Sequence, residues 1–175
     1  MKRFFLIFAL GLLSFYALAQ EGIPLLDRVG NRCVTFHYTY SLSQKGAAFQ
    51  EVTDGEVVVE GNAYILEGLG LRVVSDGVTR WSLDADAAEC VIETVEQDDL
   101  FTNPALFIAS YRNYMKQIQV NSQGTDHLDV TLTLDADTQA RFVLRNIVFD
   151  QEHEKSDFSV DEKSLPSGYL ITDLR

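Results

Sequence analysis

The stretch Val34-Thr35-Phe36-His37-Tyr38-Thr39-Tyr40 decides the class of fold. Its large apolar residues fall at every second position with Thr or His between them, the period of an extended strand, so Phe36, Tyr38 and Tyr40 share one face. That face is either buried or turned towards a ligand. The same period continues downstream. Gln44-Lys45-Gly46 turns the chain into a second strand over 49–60, in which Asp54-Gly55 marks a bulge or bend and Val57-Val58-Val59 is buried on both faces. After Gly61-Asn62, short strands are predicted over 63–66, 69–75, 78–84 and 89–95, punctuated by Gly68, Asp76-Gly77 and the turn Asp84-Ala85-Asp86-Ala87. This is the pattern of an antiparallel meander.

The period changes after Glu96-Gln97-Asp98-Asp99. Asn103 can cap a helix that has Pro104 in its first turn, and Phe107, Tyr111, Tyr114 and Met115 recur at helical spacing to form an apolar stripe ending near Lys116. A second, short helix is predicted over 23–29, where Leu25, Leu26 and Val29 are apolar. Strict alternation then returns: Leu128, Val130, Leu132 and Leu134 interleave with Asp129, Thr131, Thr133 and Asp135, and 141–149 supplies the other arm of a hairpin. The tail contributes Phe158-Ser159-Val160 and, after Pro166-Ser167-Gly168, a last strand over 169–174. The fold class expected is mainly β, a strongly curved antiparallel sheet with one or two helices inserted.

The start of the chain is an address. Lys2 and Arg3 precede an apolar run from Phe4 to Tyr16, and Ala17-Leu18-Ala19 supplies a small-residue cleavage signature, so residues 1–19 are expected to be a cleaved signal peptide and 20–175 a single mature domain. The apolar run is shorter than the roughly 20 residues that span a bilayer. Fourteen basic against twenty-six acidic residues give the 175-residue chain a net charge of −12. Losing Lys2 and Arg3 with the signal leaves twelve basic residues and a net charge of −14. Such a surface repels a nucleic-acid backbone, so no nucleic-acid partner is expected.

Motifs that carry chemistry are sparse. His37, His127 and His153 lie far apart, outside any spacing that would set two ligands on one face, so no metal is expected. Nucleotide-binding glycine loops and a serine nucleophile elbow are missing from the sequence, and Gly68-Leu69-Gly70 lacks the third glycine of a dinucleotide fingerprint. The carboxylate groups Asp84, Asp86 and Glu89, and Asp135 with Asp137, read as turn residues and not as a calcium loop. No catalytic residue and no cofactor is expected, and the protein is not read as an enzyme. Cys33 and Cys90 are either a disulfide or two separate buried thiols. A bridge across the intervening 56 residues would contribute about 4 kcal/mol through loop closure if the α-carbons came within about 7 Å.

Several of these pieces, in order, resemble the LolA-like outer-membrane lipoprotein carrier family. They are Val34-Thr35-Phe36, Gly55-Glu56-Val57-Val58-Val59, the stretch Val74-Ser75-Asp76-Gly77-Val78-Thr79-Arg80-Trp81, Asn103-Pro104-Ala105-Leu106, Asp157-Phe158-Ser159-Val160, and the closing Ile171-Thr172-Asp173-Leu174-Arg175. The resemblance covers nearly the whole mature chain, and its ending is similar to the shorter versions found in Bacteroidetes-type bacteria. It implies an unclosed antiparallel β-barrel with helices lying as a lid across an apolar concave face. It also implies a periplasmic carrier that shelters lipoprotein acyl chains, receives them from an inner-membrane ABC-type lipoprotein-releasing transporter and passes them to an outer-membrane acceptor. Under that reading strand parity turns Phe36, Tyr38, Val57, Val59, Tyr64, Leu66, Trp81 and Leu83 towards the cavity, and the helix stripe adds Phe107, Tyr111 and Met115. After its second strand the family commonly carries a basic residue and proline, the arginine helping to hold the lid; here Glu60-Gly61-Asn62 stand there, so that interaction does not carry over. The stretch between the central helix and the final strands is short, and an element fewer is expected there. A periplasmic lipid- or envelope-stress-sensing or interaction module on the same scaffold is the alternative. A monomer is expected.

Overall fold

The computed structural model describes residues 22–29, 32–96 and 103–175. The signal segment 1–19 lies outside them, as does most of the turn at 96–99. In chain order the elements are helix α1 (Pro24–Val29), strands β1 (Cys33–Gln44), β2 (Gln50–Glu60), β3 (Ala63–Gly68), β4 (Leu71–Ser75), β5 (Thr79–Asp84) and β6 (Glu89–Thr94), helix α2 (Pro104–Ser110), then β7 (Ile118–Gln123), β8 (Leu128–Thr133), β9 (Thr138–Phe149) and β10 (Leu170–Asp173). A 3-10 turn, Tyr111–Tyr114, continues α2, and two more, Lys155–Phe158 and Glu162–Ser164, precede β10.

Among the described residues the ten strands form one sheet in the order β10-β6-β5-β4-β3-β2-β1-β9-β8-β7. The sheet is curved and unclosed, since β7 and β10 end it without pairing to one another. Neighbours are antiparallel except β10, which lies parallel to β6 with Ile171 beside Cys90. The twelve-residue β1 sits near the middle, paired to β2 from Cys33↔Glu60 to Leu42↔Gln50 and to β9 from Val34↔Phe149 to Gln44↔Thr138. Tight turns set the meander. Gly61 opens the β2–β3 turn at φ +60°, and Asp76 holds the β4–β5 turn by accepting from the Val78 and Thr79 amides at 2.8 and 2.7 Å.

Cross-strand partners share a face, and the register sorts the apolar residues into two layers. Val59 and Tyr64, and Val57, Leu66 and Val73, point to the concave side. Ile65, Val74, Trp81 and Ile92 form the neighbouring row on the outer side, where Phe158, Val160 and Leu165 from the C-terminal tail cover them. This corrects the expected direction of Trp81 and Leu83. Ser82 is the β5 residue in register with Val73, so Trp81 and Leu83 point outward, Leu83 opposite Cys90. The parity expectation had no knowledge that the tail folds back over the outer face and supplies an apolar cover there. Trp81 is only 6% exposed, and its indole N–H reaches Glu162 at 3.5 Å, a marginal hydrogen bond.

Other expectations shift more locally. The central helix ends at Ser110 and tightens into the 3-10 turn where it was expected to run to Lys116. Phe158 closes a 3-10 turn. The β3–β4 turn is Leu69-Gly70, one residue later than Gly68, and β7 fills the interval that was expected to lack an element. The cysteines stay apart: both are free thiols, on β1 and β6, five strand spacings of about 4.8 Å along the sheet.

Candidate ligand-binding site

The concave face is built from alternate residues of the central strands. Phe36, Tyr38 and Tyr40 of β1, Val57 and Val59 of β2, and Tyr64 and Leu66 of β3 belong to one buried layer, continued by Phe142 and Leu144 on β9 and by Leu128, Val130 and Leu132 on β8. The helices close over it. Asn103 starts α2 by accepting from the Leu106 amide at 2.9 Å, and Pro104 occupies the first helical position, where its missing N–H costs nothing. From α2 and its 3-10 extension Phe107, Ile108 and Tyr111 point down, with Met115 packed beside them, and from α1 Leu25, Leu26 and Val29 do the same. The Phe107 ring stacks on Phe142 at 4.3 Å between centroids and 17° between planes, and Tyr40 stacks on the same ring at 5.2 Å. Of the eleven residues expected to line a cavity, the structure brings nine together here and places Trp81 and Leu83 on the opposite face.

The two helices are fastened by polar groups that spacing could not reveal, because the partners lie 84 and 85 residues apart. The buried Tyr111 hydroxyl donates to the Asp27 carboxylate and accepts from the Ile23 amide at 3.2 Å, while Arg112 donates to the same carboxylate at 2.6 Å. Burial and the neighbouring Asp27 hydrogen bond push the Tyr111 hydroxyl up to about 12, so it stays a donor at any physiological pH. This latch stands on the lid itself, whereas Glu60-Gly61-Asn62 form the end of β2 and the turn beneath it.

Among the described residues the lid covers one end of the concave face and leaves the other end open. α2 lies against β2 and β3 near their connecting turn, where Gly61 faces Leu26, Ile108 and Tyr111. At the other end of the same strands an apolar cavity of about 190 Å³ opens to solvent, lined by Tyr38, Tyr40, Val52, Thr53, Leu66, Gly68, Leu69, Leu71 and Val73. Two glycines let the strands approach closely beside it. The row across the sheet here is Tyr38, Gly55, Gly68, Leu71, and a Cβ at Gly68 would run into the Asp54 carbonyl oxygen, as one at Gly55 would into that of Glu67. Three apolar residues at the mouth stand in water: Val52 is 45% exposed, Leu71 41% and Leu69 67%. Leu69 also holds φ +55°, the left-handed region that costs an L-residue about 1–2 kcal/mol.

Other depressions have mixed polar and apolar linings. One of about 550 Å³ beside Gln44, Lys45 and Glu51 and an outer-face cleft of about 280 Å³ near His153 carry mixed charges. In the latter Arg72 is paired with Glu67 at 3.2 Å and His153 lies 3.4 Å from Asp157. The acidic groups flagged in the sequence serve turns: Asp84 accepts from the Ala87 amide and Asp135 from the Asp137 amide, each at 2.8 Å. Burial pushes both thiols up, helped by Glu60 and Asp150 at Cys33 and by Glu162 at Cys90, so neither is a ready nucleophile.

Val52, Leu69 and Leu71 at the mouth, Asp27 and Arg112, which join Tyr111 in the latch, and Phe142 were not among the expected site residues. Leu69 read as the first residue of a strand, and Tyr40 was placed on the correct face without being assigned to the site. No family model matches the chain, and no curated protein matches it. It is similar in shape to a solved structure described as an uncharacterized conserved protein from Thermus thermophilus, with a TM-score of 0.48 and 6% identity over 86% of this chain and 95% of that one.

Proposed function

We propose that the protein is a periplasmic carrier that shelters the acyl chains of lipoproteins against its concave face, taking them from an inner-membrane ABC-type transporter and yielding them to an outer-membrane acceptor. The observation that carries this reading is the lid: an aromatic and aliphatic sheet face covered by two short helices, held by one polar latch and left open at its far end. The energetics suit exchange. Each large side chain that the helices lay on the sheet contributes about 1.5–3 kcal/mol by burial, so the six from Leu25 to Tyr111 together contribute roughly 9–18 kcal/mol. An acyl chain burying about fifteen methylenes would contribute about 12 kcal/mol in their place. Two occupants of similar worth can displace one another, which a carrier needs in order to load and to release.

The stacking of Phe107 on Phe142 fills the middle of the face, and that observation favours the second reading, a lipid- or envelope-stress-sensing or interaction module without carrier activity. Native mass spectrometry of delipidated mature protein with a tri-acylated lipopeptide separates the two. Carrier function predicts added mass of one lipopeptide per chain and release of lipoprotein from membrane vesicles holding a matching transporter. A mass unchanged by lipopeptide overturns it.

A further inference from the structure

The β3–β4 hairpin turn, Leu69-Gly70, concentrates two unfavourable choices in one residue. Leu69 adopts a backbone conformation that glycine, asparagine or aspartate would accept readily, and it holds a large apolar side chain in water. Among the described residues four other non-glycine residues share a positive φ, and they are Lys45, Ala88, Asn146 and Asp150, all polar or small. Leu69 belongs to neither buried cluster, so the folded protein on its own draws no core packing from it. What the side chain does touch is the rim of the apolar cavity. Strain that the fold does not need points to a contact made only when something is bound.

We propose that Leu69 is the receiving contact for the acyl chain of a lipidated protein. A single chain enters the concave face methyl end first between Leu69, Val52 and Leu71, before the lid moves. This rests on the carrier reading above and adds the route. The cavity's 190 Å³ equals the share of about six waters, enough for one short run of methylenes and too small for several chains side by side. Its floor, Tyr38 and Leu66, is part of the layer that continues beneath the helices, so a chain that fills the cavity already abuts the apolar surface the lid covers. Among the described residues the depressions at the lid end carry charge, one lined by Asp27 and Arg112 of the latch and another by Glu96, which an acyl chain would have to pass.

The test compares Leu69→Asn and Leu69→Met in the delipidated mature chain, reading lipopeptide affinity and association rate with a fluorescently labelled tri-acylated peptide alongside the melting temperature. Asparagine suits the left-handed turn and removes the apolar contact. The expected result is a melting temperature equal to or above wild type with affinity about tenfold weaker, most of it in association, while Leu69→Met keeps wild-type binding. If wild type binds the lipopeptide and Leu69→Asn binds it equally well, the route is overturned and the carrier reading stands. If wild type binds no lipopeptide, both fall.

Discussion

Replacing Tyr111 with phenylalanine removes one oxygen from a buried ring and should loosen the lid without unfolding the sheet. The lost oxygen is the donor to Asp27 and the acceptor for the Ile23 amide. A hydrogen bond to a charged group contributes about 1.5–3 kcal/mol, and a stranded amide costs about 1 kcal/mol more. The Asp27 side chain is 35% exposed and keeps Arg112, which brings the net loss down to about 2 kcal/mol. The sheet loses nothing, so where the lid opens by parting its two helices the whole effect falls on the equilibrium between closed and open lid, a shift of about thirtyfold. Hydrogen exchange read by mass spectrometry should then show faster exchange in residues 24–29 and 104–114, with β1 and β9 protected as before. Lipopeptide affinity should rise, by up to the same thirtyfold if binding needs the open lid, because less of the free energy of binding is spent on opening it. Asp27→Asn combined with Tyr111→Phe should show less than additive loss of protection, since both act on one bond. Unchanged exchange in the helices, or affinity that falls, would refute the latch.

The remaining predictions are shorter. Tyr111 is raised to about 12 from an ordinary 10, so its neutral form is favoured in the folded state; that stability is complete below pH 10 and is lost as pH climbs from about 10 to 12. Helix protection should therefore fall across that window in wild type and stay flat there in Tyr111→Phe. Trp81 is the single tryptophan and sits on the outer face, so its emission should not change when lipopeptide binds; a shift would mean that the tail moves on loading. Phe158→Ala should lower stability by about 3–5 kcal/mol through the cavity it leaves under the tail while lipopeptide affinity is retained. A thiol count should find two free thiols per chain after unfolding and slow labelling of Cys90 before it, and a count of none would contradict the separation of Cys33 and Cys90.

The elements whose two faces differ were legible. Alternation in β1 and β8 gave strand and inward face together, because one side of each meets the helices or their neighbours and the other meets water. Asn103-Pro104 announced α2 because capping is local chemistry. What escaped was set by distant chain. The direction of Trp81 depends on a tail about 80 residues further on, and both faces of β5 looked equally able to be covered. β7 shows no apolar alternation since only Ile118 is buried, the rest of this edge strand facing solvent. β10 runs parallel, and alternation carries no information about strand direction. The latch joins Asp27 to Tyr111 and Arg112, 84 and 85 residues apart in the chain, with nothing in either local sequence to announce its partner.

The placement of β1 beside β9 also orders events in time. Val34 meets Phe149 across 115 positions, while β1 to β6 are joined by short turns and β7 to β9 form their own hairpins. Closing a loop of that length costs about 2 kcal/mol more than closing one of ten residues, so the two zipped halves wait for one another. Docking them is the slow step expected of a sheet rich in distant contacts. α2 rests on β2 and β3, but Phe107 also stacks on Phe142 of β9, so the seat of the helices is complete only once the halves have joined. Full closure of the lid therefore follows docking, and a newly made molecule is expected to pass through an incompletely capped form that resembles the receptive form the carrier reading requires.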